Sequence, residues 1–210
     1  MLDASLPVVY AGLLDRDRWL ALERRAGAPA EQLFPAVGDA LRDAGKRLAE
    51  LDGFVFCEGP GSILGMRVAS LAVRAWRRRA AGVAPCLAYG NLAVLAASLL
   101  ERGESPPFGV ISDARRRHWN LLAVDCDGGI GRPRRVDDAA LIAASEPLWR
   151  SPEGGVVRPA PVPVRPLEYD LASAAPWFRR HGLLRPVENP EPLVLRPPEY
   201  ARWRGGAGVG

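Results

Sequence analysis

The chain has 210 residues, 48% of them apolar and 25% charged, an ordinary globular composition that excludes a disordered chain. No apolar run approaches the roughly 18 residues that cross a bilayer, and the Met1-Leu2-Asp3 start lacks the basic and apolar regions of a secretory signal. Net charge is +4, but 27 of the 28 basic residues are arginine and threonine is absent, a skew that weakens any inference from charge to nucleic acid.

The first elements follow from pattern. Residues 8–14 and 18–22, parted by the polar turn Asp15-Arg16-Asp17, predict a β-hairpin. Pro29 suits the first turn of a helix, and Leu33, Phe34, Val37, Leu41, Ala44 and Leu48 then recur at helical spacing. Gly45 interrupts that run as a C-cap, so the helix is expected to stop there and restart. Residues 54–57 form a short apolar strand, and the turn Gly59-Pro60-Gly61-Ser62 leads into a helix through Met66, Leu71, Ala72, Ala75 and Trp76, with Ser62 as N-cap. A further strand at 86–88 and a helix at 92–100 complete an alternation that argues for an α/β protein.

At residues 103–107 polarity and proline content jump, which sets a boundary between an N-terminal domain, 1–103, and a C-terminal one, 104–204. Strands are expected at 108–112 and 119–124, with the run Arg115-Arg116-Arg117 between them, and a short helix at 137–145. Prolines recur from 147 to 166, where Val162 and Val164 could supply edge strands. A last helix is expected over 169–180, and the glycine-rich tail 205–210 reads as disordered. No internal repeat is visible.

Cys57, Cys86 and Cys126 stand far apart without CxxC spacing and read as reduced, mostly buried thiols of a cytoplasmic protein. His118 and His181 are too far apart to suggest a metal site, and neither HExxH nor a serine elbow is present.

Four segments occur in a telling order: Leu2-Asp3-Ala4-Ser5, then residues 59–67 (GPGSILGMR), then Ile111-Ser112-Asp113-Ala114-Arg115 followed by His118-Trp119, and finally residues 192–198 (PLVLRPP). They resemble LDTS, GPGSFTGLR, the DAR segment opening the second domain, and PLYLRPP of the TsaB (YeaZ) family. Ala4 stands where that family has Thr, and Ile63 and Leu64 stand where it has Phe and Thr; Leu64 cannot supply a hydroxyl's hydrogen bond. The resemblance implies an actin-like ATPase (ribonuclease H-like) fold of two lobes, each with a mixed β-sheet and helices. It also implies a non-catalytic partner of the TsaD protein in tRNA threonylcarbamoyladenosine synthesis, reaching TsaE and tRNA through TsaD and forming a homodimer when alone. No cofactor is expected, except ATP and magnesium at a partner interface.

Two groups of site residues follow. A strand, a glycine turn and a helix start place backbone N–H groups where phosphate or carboxylate is held, and Arg67 one turn on could add charge. Asp3 lies where actin-like ATPases hold a metal–nucleotide, and Asp113 is the candidate second carboxylate. The nucleotide set is therefore Asp3, Gly59, Gly61, Ser62, Arg67 and Asp113. Against it, the glycines could serve only a tight turn, Arg67 could pair with Asp3 or Glu58, and Asp113 could cap a turn. The second group, Leu33, Phe34, Val37, Leu41, Val68, Leu71, Ala72, Ala75 and Trp76, exceeds what one sheet-facing stripe requires. In the resembled family these helices meet TsaD or a second copy; the alternative is packing on their own sheet. Arg77-Arg78-Arg79 and Arg115-Arg116-Arg117 could meet tRNA phosphates or be solvated surface. Two competing functions remain: an actin-like kinase or ATPase using Asp3, Gly61, Ser62 and Asp113, and a degenerate homologue that only self-associates.

Overall fold

The hairpin forms as expected, from β2 (Val8–Asp15) and β3 (Arg18–Ala26), with β1 (Leu2–Asp3) antiparallel to β2. The computed structural model describes residues 1–79, 82–152 and 158–195; the expected tail at 205–210 and residues 196–198 of the closing motif lie outside them. Helix α1 (Pro29–Asp43) ends at a left-handed Gly45, φ 61°. Gly45 N–H donates to Arg42 O and Lys46 N–H to Leu41 O, and a single 3-10 turn at Leu48–Glu50 follows. Next come β4 (Phe54–Gly59), α2 (Ile63–Arg77), a two-residue hairpin of β5 (Arg78–Arg79) and β6 (Gly82–Val83), β7 (Cys86–Gly90) and α3 (Asn91–Glu101). Ser62 caps α2, its Oγ accepting Gly65 N–H at 3.2 Å.

After α3 the chain builds a second sheet from β8 (Phe108–Asp113), β9 (His118–Val124), β10 (Arg134–Asp137), β11 (Leu148–Arg150) and β12 (Arg165–Pro166), with α4 (Asp138–Ile142) between β10 and β11. It then makes α5 (Ala175–Arg180) and β13 (Arg185–Pro186). Sheet one runs β13-β7-β4-β1-β2-β3 and sheet two β10-β9-β8-β11-β12. In each, the first three strands form an antiparallel meander, the fourth lies parallel to the first, and the next lies parallel to the fourth. The repeat that the sequence hides is thus present in the topology.

Five layers result. Helices α1 and α2 cover one face of sheet one through Leu33, Ala36, Ala69, Ala72 and Val73. Helix α3 lies between the sheets, giving Val94 and Ala97 to sheet one and Leu92, Leu95, Ala96 and Leu99 to sheet two. The outer face of sheet two, with Ile111, Trp119 and Leu121, is covered by Leu141 of α4 and by Ala160, Val162 and Val164. Among the described residues no helix is long and apolar enough to cross a membrane.

Several expectations are corrected. Val162 and Val164 pack on sheet two without forming strands, because Pro159, Pro161 and Pro163 remove the alternate N–H donors; pairing begins only at Arg165. The last helix starts at Ala175 rather than 169, since Tyr169 O and Leu171 O are taken by Tyr10 Oη and Trp19 Nε1, and Pro176 suits a first turn. Helix α4 is shorter than 137–145 and is capped by Asp137. Residues 104–204 do not stay with sheet two: β13 pairs with β7 of sheet one, and α5 packs there through Phe178 against Trp19 and Tyr89.

The glycine turn and the start of α2 lie close against the segment that follows β1. A Cβ on Gly65 would land on the carbonyl oxygen of Ala4, and one on Gly61 on that of Ser5. Both obstacles are backbone, so neither can step aside. Gly65→Ala is expected to lower unfolding free energy by about 1–3 kcal/mol. Gly38→Ala, in exposed α1 with nothing near its Cβ, is expected to raise it by up to about 1 kcal/mol. Urea denaturation of both variants checks this; a Gly65→Ala protein as stable as wild type would refute the close approach.

Candidate functional site

The equivalent ends of β1 and β8 carry Asp3 and Asp113. Asp3 is fully buried on the inner face of sheet one, which also holds Tyr10, Cys57 and Tyr89. Its Oδ1 accepts Ser5 N–H at 2.9 Å and Ser5 Oγ at 2.7 Å. Its Oδ2 accepts Tyr89 Oη at 2.9 Å and Tyr169 Oη at 2.5 Å. Burial, followed by the nearby carboxylate of Asp3, pushes both phenols well above the ordinary tyrosine range, and does the same to the Cys57 thiol. Tyr169 retains some exposed surface as a residue, but its hydroxyl is enclosed.

A cleft of about 640 Å³ opens between the lobes. Its sheet-one wall is formed by Ser5 to Pro7, Pro29, Met66 and the turn Pro60–Ile63. Opposite stand Ser112, Asp113 to Arg115, Asn120, Arg135 and Pro152, and Leu193 and Leu195 cross it from the C-terminal segment. Leu193 N–H is fixed to Glu58 O at 2.8 Å. Of the expected nucleotide set, the cleft gathers Gly61, Ser62 and Asp113; Asp3, Gly59 and Arg67 do not line it. Arg67 is exposed and pairs with neither expected carboxylate: Asp3 is held as above, and Glu58 is held by Arg185.

The glycine turn spends donors on the fold. Ser62 N–H goes to Ser5 O at 2.7 Å and Gly65 N–H to Ser62 Oγ. Asp113, its side chain 4% exposed, accepts Arg115 N–H at 2.8 Å and lies 3.6 Å from the guanidinium groups of both Arg115 and Arg158. A magnesium–nucleotide needs carboxylates open to the cleft. Neither aspartate offers that, so the residues present do not fit the group. Among the described residues no three His, Cys, Asp or Glu side chains cluster as metal ligands.

The arginine runs divide between core and surface: Arg78, Arg115 and Arg117 are exposed. Arg77 is buried and donates to Ala84 O and Glu188 O, both at 2.6 Å. Arg117 pairs with Asp138, which also accepts Trp119 Nε1 at 2.8 Å and, at 3.3 Å, Arg158, whose guanidinium lies 4.2 Å from the Trp119 ring centre. His118 and His181 stay apart, bonded to Arg116 O and Glu101.

The expected interface set divides. Leu33 and Ala72 are buried in the protein's own core, which removes them from any surface. Val37, Leu41, Val68 and Trp76 are half-buried, whereas Phe34 (52%), Leu71 (60%) and Ala75 are exposed. Phe34 meets Trp76 edge to face at 6.1 Å, joining α1 to α2. Leu64, 64% exposed, continues the α2 stripe through Val68, Leu71 and Ala75. Sequence reasoning missed Leu64 as a surface residue, and missed Arg135 because β10 carries no apolar alternation.

The family model described as TsaD: tRNA N6-adenosine threonylcarbamoyltransferase matches residues 26–132. Proteins of Mycobacterium tuberculosis and Mycobacterium bovis, each described as uncharacterized, are 30% identical over 221 residues, covering 96% of this chain and 90% of the relative. The solved structure of YeaZ from Pseudomonas aeruginosa superposes with a TM-score of 0.67 at 22% identity, covering 92% of this chain and 97% of that one. A second structure, described as an uncharacterized protein with similarity to peptidase YEAZ from Pseudomonas aeruginosa, gives 0.66 at 24%, covering 93% and 97%. The likeness extends over both sheets, and the architecture is that of an actin-like ATPase fold.

Protonated phenols at Tyr89 and Tyr169 give a pH dependence with a definite sign. Their folded values lie above the ordinary value of about 10, so their contribution is complete below that pH and is lost as pH rises through the raised values. Tyr169→Phe is expected to cost about 1.5–3 kcal/mol at pH 7 and to flatten the alkaline loss. Urea denaturation at pH 7 and above pH 10 measures both, and an unchanged alkaline slope would contradict the assignment.

Proposed function

The chain belongs to the family whose model is described as TsaD: tRNA N6-adenosine threonylcarbamoyltransferase, with the fold of YeaZ; on that premise we propose that it is a TsaB-type, non-catalytic subunit of tRNA threonylcarbamoyladenosine synthesis. In this reading it binds a TsaD protein in the cytoplasm, reaches TsaE and tRNA through that protein, and pairs with itself when TsaD is absent. The observation that carries the reading is the apolar face shared by α1 and α2. Phe34, Leu64 and Leu71 are more than half exposed there, while the opposite sides of both helices are already packed on sheet one.

Large apolar side chains grouped on one face of two adjacent helices stand to gain from burial against a partner. A small residue, Ala75, and the bare Gly38 allow a facing helix to come near. The assignment of a supporting role draws on the cleft as well. Its aspartate is held by arginines, and the other lobe's equivalent aspartate is enclosed. Any nucleotide is accordingly assigned to the interface with TsaD rather than to this chain's own carboxylates.

Co-purification with the TsaD protein of the same organism, followed by mass determination of the complex, tests the reading. Phe34→Asp and Leu71→Asp are expected to weaken that complex by about 30-fold or more each. Leu71→Asp should leave thermal stability nearly unchanged, because its side chain is exposed in the free chain, whereas Phe34→Asp also loses the edge-to-face contact with Trp76 and about 0.5–1.5 kcal/mol with it. Failure of wild type to bind TsaD would reject the proposal. A concentration-dependent homodimer without any TsaD complex would point instead to a degenerate homologue that only self-associates.

A further inference from the structure

Arginine on the inner face of a sheet ordinarily finds an acceptor, because an unpaired charge removed from water is costly. Arg135 keeps its Nε shut off from solvent with no acceptor among the described residues. Its position follows from strand register: Ser112 of β8 faces Asn120 of β9, and Asn120 faces Arg135 of β10. Directly opposed residues share a sheet face, so the three side chains form one row.

Further along β8 and β9, the same face carries Phe108, Val110, Leu122 and Val124 packed on α3. Where the sheet emerges from beneath α3 into the cleft, its inner face turns polar, and Ser112, Asn120 and Arg135 all line that cleft. Asn120 Nδ2 donates to Ser112 Oγ at 3.0 Å, so these two steady each other. Arg135 is only partly exposed, and its Nε is shut off from solvent without a hydrogen-bond partner. Asp113 also lines the cleft, but its carboxylate is engaged by Arg115 and Arg158.

We propose that the row Ser112–Asn120–Arg135 is an oxyanion subsite, taking the phosphate or carboxylate group of a small ligand without a metal ion. A guanidinium pairs with such groups through charge-assisted, bidentate hydrogen bonds. The rest of the ligand lies against an apolar wall supplied by Leu6, Pro7, Ile63, Met66, Leu193 and Leu195. Metal independence follows from the cleft's lack of an uncommitted carboxylate among the described residues. It distinguishes this subsite from a magnesium–nucleotide site.

The test is calorimetric titration of the isolated full chain, in EDTA at low salt, with inorganic phosphate in one arm and acetate in the other. Saturable binding of at least one anion is expected, weakened about tenfold or more in Arg135→Gln and retained in Arg67→Gln, which alters an exposed arginine away from the cleft. The tighter arm identifies the group recognised. Added sodium chloride should weaken binding by screening. Thermal melting supplies a second readout: the ligand-free Arg135→Gln protein should melt no lower than wild type, and the rise in melting temperature produced by the anion should be absent from it. No saturable binding in either arm, equal binding by Arg135→Gln, or a lower ligand-free melting temperature for that variant would each overturn the proposal. No partner protein enters the measurement, so its outcome is separate from that of TsaD binding.

Discussion

Helix α3 has almost no solvent face, and that constraint organises the molecule. From Asn91 to Leu99 every residue but Ala93 is buried. Two sheets therefore have to stand on its opposite sides, each supplying an apolar surface. The cleft is where this shared packing stops. Beyond the N-terminal end of α3 the sheets face each other across open space, and the ends of β1 and β8 with their following loops become its walls. The outer helices α1 and α2 are displaced to the far side of sheet one, where nothing else in the described chain covers them.

The two aspartates at equivalent strand ends show how one topology can serve different purposes. Asp3 sits on the face of sheet one that α3, α5 and the segment at Tyr169 enclose, and four donors saturate it. That arrangement suits an internal tie between early and late parts of the chain; replacing either tyrosine hydroxyl would leave a buried oxygen short of a donor. Asp113 lines the cleft, but its side chain lies on the Trp119 face of sheet two and arginines hold it. Similar strand order therefore does not carry over the chemistry of nucleotide binding, which depends on carboxylates open to the ligand.

Legibility in the sequence followed local physics. The hairpin, α1 with its Gly45 stop, Ser62 as an N-cap and the strands expected at 108–112 and 119–124 all rest on short-range patterns, and all are found, the two strands each one residue longer. Strands β10 and β13 were invisible because Arg134-Arg135-Val136-Asp137 has a single apolar residue and Arg185-Pro186 none with β preference; long-range pairing makes them strands. The proline segment misled in the opposite direction, since buried valines suggested strands that missing N–H groups forbid. Site geometry was the least legible. Gly61, Ser62 and Asp113 of the expected nucleotide set line the cleft, but side-chain direction at Asp3 depends on which sheet face α3 covers. Arg135 depends on the register of a strand that could not be read.

Helix α2 connects these features. Gly65 presses its backbone onto the segment that follows β1, and Ser62 N–H is bonded to Ser5 O, so the helix start is fixed to the sheet that lines the cleft. Neighbouring residues at that start then face different surroundings. Ile63 lines the cleft, whereas Leu64 does not and instead begins the exposed stripe through Leu71. The departure from the TsaB-like motif at position 64 thus replaces a hydroxyl with apolar surface on the proposed partner face, not inside the cleft. A threonine there could have offered the cleft little; a leucine adds contact area of the kind a facing helix buries. The substitution that in sequence was only the loss of a hydroxyl's hydrogen bond is, in three dimensions, a change in what the outer helices present.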